Sequence, residues 1–226
     1  MINGKEVVAI IPAKDDSKRI KRKNFRELSG KSLLGRKITQ LQESEYIDRI
    51  VVGSKSQDVL NEAKKYGAET ILEEEYVQTQ SANQMIHNMV SRVETDVVIW
   101  AHCTNPFIEA DTYDNAIKTF GDNLEAGTHD SLLSVYKVQE HLWNTDKTPL
   151  NYNPYQERHP LAKELPVFYA QDGGIFIQPH KQMLENSYFF GSKPFLFEMK
   201  ESEILDINVE RELRLAEVLI ELNEKK

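Results

Sequence analysis

Residues 6–12 (EVVAIIP) form an unbroken apolar run, and the basic stretch after them has no apolar period, so the pattern predicts a buried strand opening into a loop. Residues 33–42 (LLGRKITQLQ) carry helical spacing, 48–53 (DRIVVG) repeat the strand pattern, and 57–66 return to a helix with Gly67 just past its end. A short strand is expected at 70–72, a helix at 84–93 with apolar positions 85, 86, 89, 90 and 93, and another buried strand at 96–101 (DVVIWA). Helical spacing at 111–120 precedes a strand at 131–138. Strand patterns return at 174–178 (GIFIQ) and 195–198, and an amphipathic helix follows at 210–224. Strands alternating with helices predict an α/β protein whose mainly parallel sheet has helices on both faces. Ligands of such sheets sit at the carboxyl ends of the strands, so chemistry is expected on the loops after residues 12, 53 and 101.

Between 141 and 166 the periodicity disappears, and Pro149, Pro154, Pro160 and Pro166 punctuate polar and aromatic residues. An irregular stretch of that length is either functional or an arm for a partner. The 226 residues suffice for one substantial domain, 1–226, and not for two. With 28 Lys+Arg against 36 Asp+Glu the formal charge is −8, which disfavours nucleic acid as a partner. No apolar run approaches the ~20 residues that span a bilayer, so no membrane association and a cytoplasmic location are expected. The one cysteine, Cys103, cannot form an intramolecular disulfide or a multi-cysteine zinc site.

The densest chemical signal is 14–24, KDDSKRIKRKN, with six cations in eleven residues of an acidic chain. Ammonium and guanidinium groups on a loop at a strand's carboxyl end suit a triphosphate, whose oxygens repel one another unless neutralised. Neither a GxxxxGK[ST] phosphate loop nor a GxGxxG fingerprint is present. Beside His102 stands Cys103, but neighbours on a strand point to opposite faces and cannot share a metal.

Four segments in order, Ile11-Pro12-Ala13-Lys14 through Ser17-Lys18-Arg19 to Lys23-Asn24, Trp100-Ala101-His102-Cys103-Thr104-Asn105-Pro106, Gln171-Asp172-Gly173-Gly174-Ile175-Phe176, and Asp206-Ile207-Asn208-Val209-Glu210, resemble the acylneuraminate cytidylyltransferases. The resemblance covers nearly the whole chain. It implies a three-layer Rossmann-like nucleotidyltransferase fold with a dimerisation arm at about 141–166, a homodimer, and a reaction that joins CMP from CTP to an acidic, nonulosonic or sialic-like sugar with release of pyrophosphate. By the same resemblance, Lys14, Ser17, Lys18, Lys23, Asn24 and Ala82 meet the nucleotide. His102, Thr104, Asp172, Phe176, Phe189 and Phe190 meet the sugar. Asp206 and Asn208 hold Mg²⁺, and Lys18, Lys23 and Asp206 carry catalysis. Were 206–208 a strand, its alternation would aim both metal ligands to one face.

The chain departs from that family at four places. Asn208 stands for a second metal aspartate, Glu73-Glu74-Glu75 for an Arg-Pro, Asp15-Asp16 for a Gly-Gly, and Ala162-Lys163-Glu164 for an arginine before Leu165-Pro166. The same residues would also suit a nucleotidyltransferase for another acidic acceptor, or a nucleotide-binding homologue with impaired turnover.

Overall fold

The computed structural model describes residues 1–15, 17–73 and 81–224. Its strands are β1 (Val7–Pro12), β2 (Glu27–Leu28), β3 (Lys31–Ser32), β4 (Arg49–Ser54), β5 (Glu69–Leu72), β6 (Val97–Ala101), β7 (Ser131–Val138), β8 (Phe168–Pro179) and β9 (Pro194–Glu198). The helices are α1 (Leu33–Gln42), α2 (Gln57–Lys65), α3 (Ala82–Val90), α4 (Ala110–Glu125), α5 (His180–Asn186) and α6 (Glu210–Glu224). Seven strands form one sheet in the order β5-β4-β1-β6-β8-β7-β9, and β2 pairs only with β3. All neighbours in the large sheet are parallel except those of β8, which runs against both β6 and β7. The expected mainly parallel sheet is therefore present.

Side-chain alternation divides two cores. Val7, Ala9, Ile11, Val97 and Ile99 face the layer of α1, α2, α4 and α6, whereas Val8, Ile10, Val98 and Trp100 face α3 and α5. Two caps set helix starts that periodicity alone misplaces or leaves open. Ser32 accepts a hydrogen bond from the Gly35 amide to open α1, and a reciprocal Ser81–Gln84 capping box starts α3 at Ala82, two residues before the expected 84. Helix α4 runs five residues past the expected end at 120, and the hairpin of β2 with β3 and helix α5 carry too few residues to show a period.

The largest correction concerns residues 173 and 174. The pattern predicts a strand that begins at 174, but β8 starts at Phe168 and runs through both glycines. Leu133 pairs with Phe176 and Val135 with Gln171, so the residues between them on β8 swell out as a bulge with Gly173 at φ +76°. That left-handed conformation is open to glycine and strained for L side chains. Gly173→Ala should therefore lower stability by about 1–2 kcal/mol, read as a lower melting temperature, although no atom crowds the new methyl. An unchanged melting temperature would mean that the bulge relaxes.

The 141–166 segment is irregular as expected, with one isolated bridge between Trp143 and Pro149 and a 3-10 turn at Ala162–Glu164. His141, Tyr152 and His159 pack ring to ring inside it, His141 on His159 at 4.5 Å. Among the described residues, no helix is long and apolar enough to cross a membrane.

Candidate active site

The loop after β1 is built to hold its shape. Ile20 is buried as its anchor, and buried Asn24 donates to the Lys14 carbonyl at 2.7 Å, closing the loop across ten residues. The Ser17 hydroxyl accepts from the Ile20 amide at 3.4 Å. Its cations then diverge. Arg22 turns to α2, pairing with Asp58 at 3.5 Å and covering the Phe25 ring, and Asp15 accepts from the Ser56 hydroxyl at 2.9 Å. Lys14, Lys18, Arg19 and Lys21 are exposed, and Lys23 is half-buried. Asp16, and Glu74-Glu75 at the second departure, lie outside the described residues.

Lys23 and Arg19 tie this loop to the segment before α6. The Lys23 ammonium donates to the Ile207 carbonyl at 2.9 Å, and the Arg19 guanidinium donates to Asn208 Oδ1 at 2.9 Å. Burial lowers the Lys23 pKa, opposed by the nearby Asp206 carboxylate. The 206–208 segment is an irregular stretch held to the β6 loop by the Ile207 amide on the Thr104 carbonyl at 2.7 Å, not the strand expected. Asp206 and Asn208 nevertheless meet, because the Asn208 amide nitrogen donates to Asp206 Oδ2. Glu212 caps α6 by accepting from the Asn208 and Val209 amides.

The β8 bulge supplies the opposite wall. Asp172 Oδ1 accepts from the Ser134 hydroxyl and from the Gly174 amide at 3.0 Å. Asn105, fully buried, donates to the Asp172 carbonyl at 3.3 Å. Between these elements lies a cavity of about 680 Å³, lined by Asp172, Asp206, Asn208 and Glu212 on its polar side and by Phe107 and Leu219 among its apolar residues. Of the expected site residues it gathers three.

The expected sugar-contacting aromatics form a separate group. Phe176 is buried and stacks on Phe189 at 4.9 Å. Phe189 meets Trp100 edge-on at 5.9 Å, and Phe190 packs on the same core. His102 lies between them with both ring nitrogens engaged. Nε2 accepts from the Trp100 indole at 3.2 Å, so Nδ1 is the protonated nitrogen and donates to the Gly173 carbonyl at 2.7 Å. Burial lowers its pKa, the Gly173 bond partly offsetting this, so His102 stays neutral through neutral pH. The ring braces the bulge against β6. Thr104 is half-buried on the adjoining loop, and Ala82 is exposed at the start of α3.

Beneath the loop, burial pushes the Cys103 thiol up to about 12, which leaves it unreactive. Glu73, at the end of β5, is buried with its pKa raised by desolvation and pairs with Arg92 at 3.5 Å. It therefore faces α3 and not open solvent. Arg19, Asn105, Ser134 and Glu212 were not singled out from sequence. Arg19 stands within the cation run, whereas Asn105 and Ser134 leave no sequence signal because their partners lie 67 and 38 residues away.

Comparison with known proteins gives a consistent frame. Residues 8–223 match the family described as Cytidylyltransferase. The CMP-N,N'-diacetyllegionaminic acid synthase of Legionella pneumophila is 29% identical over 235 residues, covering 97% of this chain and 98% of that protein. The pseudaminic acid cytidylyltransferase of Campylobacter jejuni is 24% identical over 229 residues, covering 96% and 97%. In fold, the chain resembles a CMP:2-keto-3-deoxy-manno-octonic acid synthetase solved with CTP, at TM-score 0.70 and 14% identity over 96% of this chain and 99% of that one. With the match running almost end to end, the chain belongs to the cytidylyltransferase family.

Proposed function

We propose that this cytidylyltransferase transfers CMP from CTP to the anomeric hydroxyl of a nonulosonic-type 2-keto sugar acid. The observation that carries the reading is the joining of the cation loop to the Asp206 segment through Lys23 and Arg19, at the rim of a cavity large enough for a sugar acid. Two full-length relatives whose names specify nonulosonic acids support the acceptor class. The acceptor oxygen forms a bond to the α-phosphorus while the bond to pyrophosphate breaks. Positioning and charge neutralisation supply most of the rate in such displacements. Lys14, Lys18 and Lys23 hold the phosphates and stabilise the leaving group, with Ser17 and Asn24 shaping the loop and Ala82 beside the nucleotide. Thr104 and Asp172 orient the acceptor, and Phe189 and Phe190 border it, while His102 and Phe176 hold the wall behind.

The residues fit a divalent cation. Asp206 lines the cavity, and its Oδ1 is buried without a hydrogen-bond partner, an arrangement that a cation resolves. Among the described residues no group of three acidic, histidine or cysteine side chains could hold a metal ion alone, so the proposed Mg²⁺ would take its remaining ligands from substrate phosphates and water. When bound, Mg²⁺ neutralises phosphate charge.

The arm exposes Trp143, Leu150, Leu161 and above all Tyr155, whereas Tyr152 is engaged in the arm's own ring cluster. This apolar surface suits a second copy of the chain, giving a homodimer. Light scattering at micromolar concentration should give twice the chain mass.

The test of the reading is pyrophosphate release with ATP, GTP, CTP or UTP, each with Mg²⁺ and a panel of nonulosonic and ulosonic acids. Release is expected with CTP and nonulosonic acids. Release with another nucleotide in preference to CTP, or with ulosonic acids alone, would overturn it.

A further inference from the structure

The loop of residues 187–193, which joins α5 to β9, carries the aromatic pair and is fixed to the sheet on both sides of it. Before the pair, the Tyr188 carbonyl accepts from the side-chain amide of Gln178, a fully buried residue of β8, at 2.6 Å. After it, the Gly191 amide donates to the Ser131 hydroxyl at 2.9 Å. Only Phe189 and Phe190 lie between these two ties, so their backbone has little freedom to move. Both residues are half-buried. Phe189 rests on Phe176 and Trp100, and its ring centre stands 6.4 Å from that of His102.

The end of the loop closes on a single carboxylate, that of Asp130, one residue before β7. Its Oδ2 accepts from the Ser192 amide and from the Ser192 hydroxyl, each at 2.9 Å. Its Oδ1 accepts from the Lys193 amide at 3.0 Å and from the Ser131 hydroxyl at 2.8 Å. Two successive backbone amides thus form an anion nest in which the anion is the protein's own side chain. Hydrogen bonds to an ionised acceptor are the stronger kind. Burial by itself would raise the Asp130 pKa, but the Ser131, Lys193 and Ser192 bonds outweigh it and hold the carboxyl below its usual value. The same carboxylate accounts for the glycine at 191, where a Cβ would stand 2.5 Å from Asp130 Oδ1. That Cβ would also meet the Gln182 amide, the end of a flexible side chain that can turn away, whereas Asp130 is fixed by its donors.

We propose that Asp130 is a positioning residue for the acceptor, holding the 187–193 loop so that Phe189 and Phe190 stand in place before the acid arrives. The proposal rests on the reading that these two rings border the acceptor. Asp130 itself acts only through the loop. A wall ordered in advance spares binding the entropy of ordering it, so the effect falls on acceptor affinity. The nucleotide is insulated from it, because β6 and β8 separate β7 from β1, the strand that leads into the cation loop.

The test is steady-state pyrophosphate release by the full chain with CTP, Mg²⁺ and whichever nonulosonic acid wild type turns over fastest. Asp130→Asn keeps the shape but turns a donor toward the loop amides. It should raise KM for the acid by about fivefold or more, with KM for CTP and kcat staying within about twofold. Gly191→Ala pushes the loop off the same carboxylate from the other side and should give the same split. The double variant should be no worse than the worse single variant, since both disturb one contact. Should Asp130→Asn not fold, Gly191→Ala carries the comparison. An unchanged KM for the acid in both variants, or a rise matched by that for CTP, would overturn the proposal and leave Asp130 as an anchor of the fold alone. Effects that multiply in the double variant would overturn it too. A wild type that releases pyrophosphate with no nonulosonic acid would overturn the reading beneath it.

Discussion

Lys23→Ala is expected to lower kcat/KM for CTP by roughly 10- to 150-fold, the equivalent of losing one charge-assisted contact worth about 1.5–3 kcal/mol. Lys23 is the half-buried cation of the loop and the one bonded to the Asp206 segment. Its removal therefore takes away a positive charge in a partly desolvated place and also loosens the Ile207 carbonyl. Lys18→Ala, at an exposed position, should lose tenfold or more with the larger share in KM, because that ammonium reaches the phosphates from solvent. The informative control is Lys21→Ala. It deletes the same formal charge from an exposed position of the same loop and should change kcat/KM by no more than about twofold. Steady-state kinetics on the three variants separate specific contacts from general loop charge. Equal losses at 21 and 23 would mean that the loop acts only through its summed field.

The second large effect is on stability and has a defined pH signature. Lys37 on α1 is fully buried, its ammonium donating to the Tyr113 hydroxyl at 2.8 Å. Glu109, Glu203, Cys103 and Arg36 act on it electrostatically, but burial dominates and pushes its pKa down from 10.5 to about 7. The folded state thus disfavours the charged amine. Below pH 7 the amine is charged in both states and the full burial penalty is present. Above 10.5 it is neutral in both, and between these values the unfolded chain binds the extra proton, so this contribution to stability rises with pH. The Lys37→Met, Tyr113→Phe double variant removes the amine together with the hydroxyl it satisfies. It should be more stable than wild type at pH 7 by about 1–4 kcal/mol and should lose the rise toward alkaline pH. Tyr113→Phe alone should destabilise by about 1–3 kcal/mol, since it strips a buried amine of its acceptor. Urea unfolding at several pH values reads both. A double variant with the wild-type pH slope would show that Lys37 is hydrated in the folded protein.

Continuous apolar runs were enough to place β1, β4 and β6, which are buried on both faces, and helical spacing was enough to place the four helices packed on the larger core. The β8 bulge was not legible in the same way. The apolar pattern begins only at 174, and it is pairing with β7 and β6 that carries the strand back through both glycines to Phe168. The cation loop and the Asp206 segment could be recognised as motifs, yet their joining through Arg19 and Asn208 spans 189 residues and leaves no periodic trace. Likewise, His102 is a polar residue at a strand end by sequence, and the Trp100 and Gly173 bonds that engage both its nitrogens come from the fold alone.

The most direct measurement is phosphorus NMR of the protein incubated with CTP, Mg²⁺ and a nonulosonic acid. Loss of the CTP signals, with one new phosphodiester signal and pyrophosphate appearing in equal amounts, is the expected result. CTP left intact with every acid of the class, or broken down to orthophosphate with no phosphodiester formed, would contradict the assignment of these strand ends as a site of CMP transfer.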